Sequence, residues 1–424
     1  MKSNKFLLFS ITAFLFFSFI SCKKDFQNSN AVSVSSFDAA VAKYNPFGLE
    51  VMPSAADENP DHITNPDFHN VLSEDMSVTL ANDYGVHYYR MKISHDFWIK
   101  TVNRSTFLND YKNANQHGLL VVLNVNWDEA EETALPFANA ADYANFLDDV
   151  LDSLNAMHYK PAIIVVENEE GNTSRHEINT TSSATIAIDC QKYADILAAA
   201  INVCKNYTWW DGQKGQKLTN GGYTTRQLTY LTWDWIKNEK NDLKAARTFA
   251  NNTMPPAIVN DLYQKPQPPY IANPIIIGKF YSSKYASMGI SFSNMHWYEP
   301  VKIRNWSDSR EHGTPWNKGV SPDTLSKGGL DWVLGYLNTK IPKKIISNET
   351  GQLTTSAKLN KAITNKYLTK PMGAFSVAVW FDGDGKGLYD PVALHNTFQD
   401  ANNNWIYSLR SNGTQFKQTN AGLK

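Results

Sequence analysis

The chain has 424 residues, only three cysteines, and almost no net charge. Cys190 and Cys204 lie in IAIDCQKYADILAAAINVCKNY, which reads as one helix. They are 14 positions apart, about 21 Å of helix, far beyond the reach of a disulfide. That pair therefore predicts two free, buried thiols and excludes a disulfide framework. The formal net charge of −1 provides none of the basic field that a phosphate backbone demands, so no nucleic-acid partner is expected. No phosphate-cradling glycine loop, dinucleotide fingerprint, His/Cys metal cluster or G-x-S-x-G elbow is present, so neither a cofactor nor a metal is expected. With 42% apolar and 19% charged residues, the composition is that of a globular chain and excludes a mostly disordered one.

The N-terminus reads as an address. Lys2 and Lys5 precede an apolar run of 15 residues, Phe6–Ile20. A spanning helix needs about 20 residues, so the run suits a secretory signal. It ends in Phe19-Ile20-Ser21-Cys22, which is similar to a bacterial lipobox. That resemblance implies a lipoprotein signal peptide over 1–22, lipidation at Cys22, and a polar Ser/Asn-rich tether over 23–40. The folded domain is expected over 41–424. The implied location is export with a lipid anchor in the bacterial cell envelope, the membrane being a partner through that anchor.

The rest of the chain alternates short β-like runs with amphipathic stretches. Candidate strands are Phe47–Met52, Tyr88–Ile93, Leu119–Asn124, Ile163–Glu167, Lys217–Asn220, Ser291–Trp297, Lys344–Asn348 and Phe375–Phe381. Several are continuous apolar runs, as strands buried on both faces of a parallel sheet must be. Between them, Tyr143, Phe146, Leu147, Val150, Leu151, Leu154 and Met157 form one stripe at helical spacing. Leu72, Met76 and Leu80 form another, stopped by Gly85. Eight strands alternating with helices predict the α/β class and a (β/α)8 barrel. Gly221–Gly289 is longer than one helix requires and predicts an enlarged loop region after strand five.

In such barrels the reacting groups stand at the C-terminal strand ends. Those ends carry Arg90, Asn126-Trp127, Asn168-Glu169, Asn220, His296, Tyr298, Asn348-Glu349 and Trp380. Two strands on opposite sides of the mouth end in Asn-Glu. Cleavage of a glycosidic bond needs two carboxyl groups flanking the sugar, one to protonate the departing oxygen and one to attack or to activate water. Glu167 and Glu170 compete with Glu169 for the first role. If Glu167 points into the pleat, Glu169 emerges at the strand end and is preferred.

The ordered set ENEEGN, YYRMKIS, NMHWYEP and SNETGQ resembles the clan A retaining glycoside hydrolases, including families 5 and 39. The resemblance implies Glu169 as acid/base and Glu349 as nucleophile. It implies Asn168 against the sugar 2-hydroxyl, Arg90 beside the nucleophile, His296 near the acid/base, and Tyr298 orienting the nucleophile. Trp380 would floor the sugar subsite. Two features depart from the family 5 pattern: Glu170 follows Glu169, and strand three ends in Asn126-Trp127, which are candidates for substrate contact. The implied substrate is a β-linked polysaccharide or oligosaccharide, cleaved by double displacement; the rival reading is a non-catalytic glycan-binding lipoprotein. Glu169 is expected to have a raised pKa, and Glu349 to be held ionised by Arg90 and Tyr298. Trp98, Trp233, Trp235 and Trp316 are candidates for outer subsites. Asp382-Gly383-Asp384-Gly385 fits the start of a Ca²⁺ loop but lacks its closing acid, and reads as a glycine-rich turn.

Overall fold

The computed structural model describes residues 45–51, 74–128, 134–298, 301–302, 324–325, 329–351, 356–369, 376–383, 393–402 and 405–423. The signal peptide, Cys22, the tether, Trp316 and the segment after Gly383 lie outside the described residues. Eight strands make the frame: β1 (Phe47–Val51), β2 (Tyr88–Ser94), β3 (Leu120–Asn126), β4 (Ile163–Val166), β5 (Leu218–Asn220), β6 (Phe292–Tyr298), β7 (Lys344–Gly351) and β8 (Ala378–Asp382). They close into a barrel in the order β1-β8-β7-β6-β5-β4-β3-β2, every neighbour parallel. With helices around it, this is a (β/α)8 barrel.

Alternation along each strand divides the side chains between two cores. Tyr88, Val122, Ile163, Val165, Phe292, Ile346, Val377 and Val379 fill the barrel interior. Leu49, Leu123, Val125, Ile164, Val166, Trp297 and Trp380 point outward into the layer shared with the helices. Both faces are covered, which explains the unbroken apolar runs.

The helices follow their sequence signals. The helix Ala140–Ala156 buries Tyr143, Phe146, Leu147, Val150, Leu151 and Leu154 on one stripe, and Met157 closes it half-buried. Asn139 caps it by accepting the Ala141 N–H at 2.8 Å. Each of those side chains contributes roughly 1.5–3 kcal/mol by leaving water. The helix Glu74–Tyr84 ends at Gly85, whose φ of 70° is left-handed. Cys190 and Cys204 share the helix Ser183–Asn206 as free, buried thiols, and burial raises each thiol pKa to about 12. Between β5 and β6 the chain runs through helices Thr225–Asp234, Leu243–Thr253, Pro256–Asp261 and Pro269–Ser287, with a π-turn at Trp235–Glu239. Pro256 and Pro269 each open a helix, where the missing N–H costs nothing.

One expectation changes here. Trp98, Trp233 and Trp235 are buried at 1%, 0% and 5% exposure and belong to the core. Asp382 is already occupied: it accepts from the Leu394 N–H at 2.6 Å, from His395 Nδ1 at 2.9 Å and from the Tyr84 hydroxyl at 3.2 Å.

Candidate active site

The site stands on a polar layer inside the barrel, above the apolar one. Asn124 (β3), Asn220 (β5), Asn294 (β6) and Asn348 (β7) are all fully buried. Asn348 Nδ2 donates to Asn124 Oδ1 at 2.9 Å, and Asn294 Nδ2 donates to Asn348 Oδ1 at 2.5 Å. The Asn294 backbone N–H donates to Asn220 Oδ1 at 3.0 Å. Buried amides are tolerable only when paired in this way, and pairing across strands makes the layer rigid.

Arg90 rises from β2 through this layer with its side chain fully buried. Its Nε donates to Asn124 Oδ1 at 2.9 Å and its Nη2 to Asn168 Oδ1 at 2.9 Å. Its Nη1 reaches Glu349 Oε2 at 2.7 Å and also pairs with Glu50. Burial alone would lower the arginine pKa; Glu50 and Glu349 raise it instead and keep the guanidinium charged. Lys92 Nζ holds the other Glu50 oxygen at 2.9 Å. Arg90 thus stands beside and behind Glu349, with its side chain closed off from solvent.

Glu349 lies at the end of β7 with its side chain 17% exposed. The Tyr298 hydroxyl donates to its Oε1 at 3.2 Å. Burial would raise the Glu349 pKa, but the positive charge of His296 and Arg90 outweighs it and brings it down to about 2. The same carboxylate, with burial acting first, pushes the Tyr298 hydroxyl well above its ordinary value. Tyr298 therefore stays a neutral donor.

Beyond β4 the chain makes a turn at Glu167-Asn168-Glu169, with φ of 62° at Glu167 and 51° at Glu169. Left-handed backbone at two glutamates costs of order 1 kcal/mol each and marks a turn fixed from outside. It separates the three acids. Glu167 turns to β3, where its Oε1 accepts the Trp127 N–H at 2.9 Å. Glu170 is buried at 1% exposure and accepts from Asn220 Nδ2 at 3.0 Å and from the Tyr285 hydroxyl. Burial pushes the Glu170 carboxyl up, against those two hydrogen bonds. Glu169 alone faces Glu349.

His296 sits between the two. Asn348 Oδ1, already an acceptor from Asn294, takes the His296 Nε2–H at 2.9 Å. That assigns the proton on Nε2 and leaves Nδ1 toward the carboxylates, 3.2 Å from Glu169 Oε1 and 3.6 Å from Glu349 Oε2. These three side chains present one atom each within 4.8 Å of one another. Burial would lower the His296 pKa; Glu349 and then Glu169 outweigh it and raise it. Gly222 makes room for the ring: at φ 110°, a Cβ there would stand 2.5 Å from His296 Nε2.

The outer oxygen of Glu169 is held by its own turn. Asn172 Nδ2 donates to Oε2 at 2.8 Å and Arg175 Nε at 3.1 Å. Burial would raise the Glu169 pKa, but the His296 hydrogen bond, the Arg175 charge and Asn172 hold it well below the carboxylate range. The expected raised pKa is therefore corrected: the carboxyl is held low because His296 and Arg175 both face it.

Trp380 is a second correction. It is fully buried, with ring centroids 5.1 Å from Phe416 and 6.1 Å from Phe47. Val377 and Val379 point inward on this strand, so Trp380 points to the helix layer and cannot floor a sugar subsite. Phe381 shares the inward face and pairs in register with Glu50. Asn126 shares the inward face of β3 with Val122 and Asn124, and it is 4% exposed. The Trp127 ring stacks on His95 at 4.0 Å and 9° and meets Phe146 edge-on at 6.3 Å. Asn168 is 7% exposed and held by Arg90, and its carbonyl takes His176 Nε2 at 2.9 Å. Of the sequence candidates, the structure thus gathers Arg90, Asn168, Glu169, His296, Tyr298 and Glu349. Glu50, Lys92, Asn172 and Arg175 join them unannounced.

No protein-family profile matches the chain, and no curated protein sequence is similar to it. Among solved structures the fold is similar to the family 1 β-glucosidase from Thermotoga maritima, at 12% identity and a TM-score of 0.52, over 91% of this chain and 99% of that chain. It is also similar to the β-glycosidase BGL167, at 10% identity and a TM-score of 0.50, over 82% of this chain and 85% of that chain. At such identities the likeness is one of fold.

Proposed function

We propose that this barrel is a retaining glycoside hydrolase of β-linked sugars. Glu349 attacks the anomeric carbon while Glu169 protonates the departing oxygen. A glycosyl ester forms on Glu349 as the glycosidic bond breaks. Glu169, now a carboxylate, then takes a proton from water, whose oxygen displaces Glu349 and returns the sugar with its configuration kept.

The observation that carries this reading is the approach of Glu169 and Glu349 to within 4.8 Å, oxygen to oxygen, at the barrel mouth. Retaining enzymes hold their carboxyls about 5–5.5 Å apart, whereas inverting ones leave about 6.5–9.5 Å for water. The unequal support fits the two tasks. Arg90 and Tyr298 keep Glu349 a nucleophile. The frame it shares with β-glycosidases of known structure is one that places such groups at strand ends. Hydrolysis of a panel of aryl β-glycosides and β-glycans by the purified chain, lost in Glu349→Ala and in Glu169→Ala, tests the reading.

One observation favours a second reading, a glycan-binding barrel without turnover: the Arg175 ion pair helps hold the Glu169 pKa well below the carboxylate range. Products in the panel separate the two. In either case we propose that the Cys22 lipobox-like sequence anchors the protein to the bacterial envelope; incorporation of labelled fatty acid, lost in Cys22→Ala, tests this.

A further inference from the structure

A general acid must hold its proton when substrate arrives. Here the candidate acid is clamped as an anion by a guanidinium that the hydrolysis itself does not use. Arg175 follows Glu169 by six residues, and its side chain is 45% exposed against 14% for Glu169. The backbone beneath it is fixed: the Arg175 carbonyl accepts the Leu135 N–H at 3.0 Å, and its own N–H donates to the Asn172 carbonyl at 3.0 Å. The next residue, His176, is buried and stacked on Phe137 at 4.5 Å. The arginine side chain is the part-exposed end of this anchored turn. It grips Oε2, the outer oxygen, whereas Oε1 faces His296 and Glu349 within the site. In the glycosidase reading the sugar esterified to Glu349 would lie on the Oε1 side of Glu169, which would put the leaving group on the Oε2 side, toward Arg175.

Resting on the glycosidase reading above, we propose that Arg175 is a latch on Glu169, opened by an anionic group, a carboxylate or a sulfo group, on the leaving-group side of the substrate. The anion takes the guanidinium in charge-assisted hydrogen bonds. Asn172 keeps Oε2 in place. With the opposing cation drawn away, Glu169 takes a proton from the solvent at Oε1, beside His296 Nδ1. Glu169 then gives that proton to the glycosidic oxygen as the C–O bond breaks, and a water proton restores it in the second step. The groups that face Glu169 are His296 from β6, Glu349 from β7, and Arg175 and Asn172 from its own turn. Arg175 is the exposed cation among them.

The test uses the full chain and aryl β-glycosides bearing para-carboxylate, para-sulfonate or neutral para-carboxamide. Affinities are measured by calorimetry in a Glu349→Gln background, with and without Arg175→Gln, and hydrolysis in the wild-type background. The anionic ligands are expected to bind about tenfold tighter than the carboxamide, the effect of one charge-assisted hydrogen bond. Arg175→Gln should bring the ratio to about one, and Arg175→Lys should restore part of it. For the neutral substrate, Arg175→Gln should move the alkaline limb of kcat/KM to higher pH. Equal ratios with and without Arg175, or an alkaline limb that does not move, overturn the latch while leaving the hydrolase intact. An Arg175-dependent ratio without hydrolysis of any glycoside upholds anion recognition and rejects the hydrolase. A preference for one anion alone identifies which group opens the latch.

Discussion

One nitrogen of Arg90 serves two carboxylates, Glu349 at 2.7 Å and Glu50 behind it. The geometry makes Arg90 the keystone of the site: it fixes the proposed nucleophile, and through Asn124 and Asn168 it ties β2 to β3 and to the turn after β4. Removing it would leave two buried anions without their common partner.

Arg90→Ala is therefore expected to cost about 3–5 kcal/mol of stability, the usual loss when one member of a buried ion pair is deleted. Urea unfolding measures it. Arg90→Lys should keep part of the stability but lose the hydrogen bonds to Asn124 and Asn168, because lysine has no planar fork.

Glu50→Gln removes the competitor for Arg90. The guanidinium then belongs to Glu349 alone, so the acidic limb of kcat/KM should move to lower pH. A limb that moves upward would show that Glu50 acts instead by holding Arg90 in place.

The fold should weaken in acid in a way that depends on Glu349. Its pKa falls from an ordinary value of 4.5 to about 2 in the folded protein. A depressed carboxylate contributes stability that is present above the unfolded pKa and is lost as pH falls toward the folded one. Urea midpoints should therefore drop between about pH 4.5 and 2, and drop less in Glu349→Gln.

Trp380→Phe should leave KM unchanged, since the ring lies against Phe416 and Phe47 and away from the mouth. Trp380→Ala should cost about 3–5 kcal/mol through the cavity it leaves. A raised KM in the phenylalanine variant would return Trp380 to the sugar subsite.

The eight barrel strands were legible because their apolar runs are continuous, with ends within a few residues of those observed. The same continuity hides which face each side chain takes, and Trp380 shows the cost. Its neighbours Val377 and Val379 are as apolar as it is, and β8 shifts register against β7 between Ala378 and Trp380. Glu50 lay inside a predicted strand, where a lone acid in FGLEVM gives no sign of meeting Arg90. Arg175 lies in an aperiodic turn, so only the folded backbone brings it back to Glu169. The low pKa of Glu169 is hidden for the same reason: the sequence shows the other carboxylate but not the cations around it.

The most direct test is covalent trapping. Full-length protein is incubated with 2,4-dinitrophenyl 2-deoxy-2-fluoro-β-glycosides of the gluco, galacto, manno and xylo series, digested, and mapped by mass spectrometry. The account predicts one sugar ester, on Glu349, absent from Glu349→Gln. An ester on another acid, or no ester with any of the four, would contradict it.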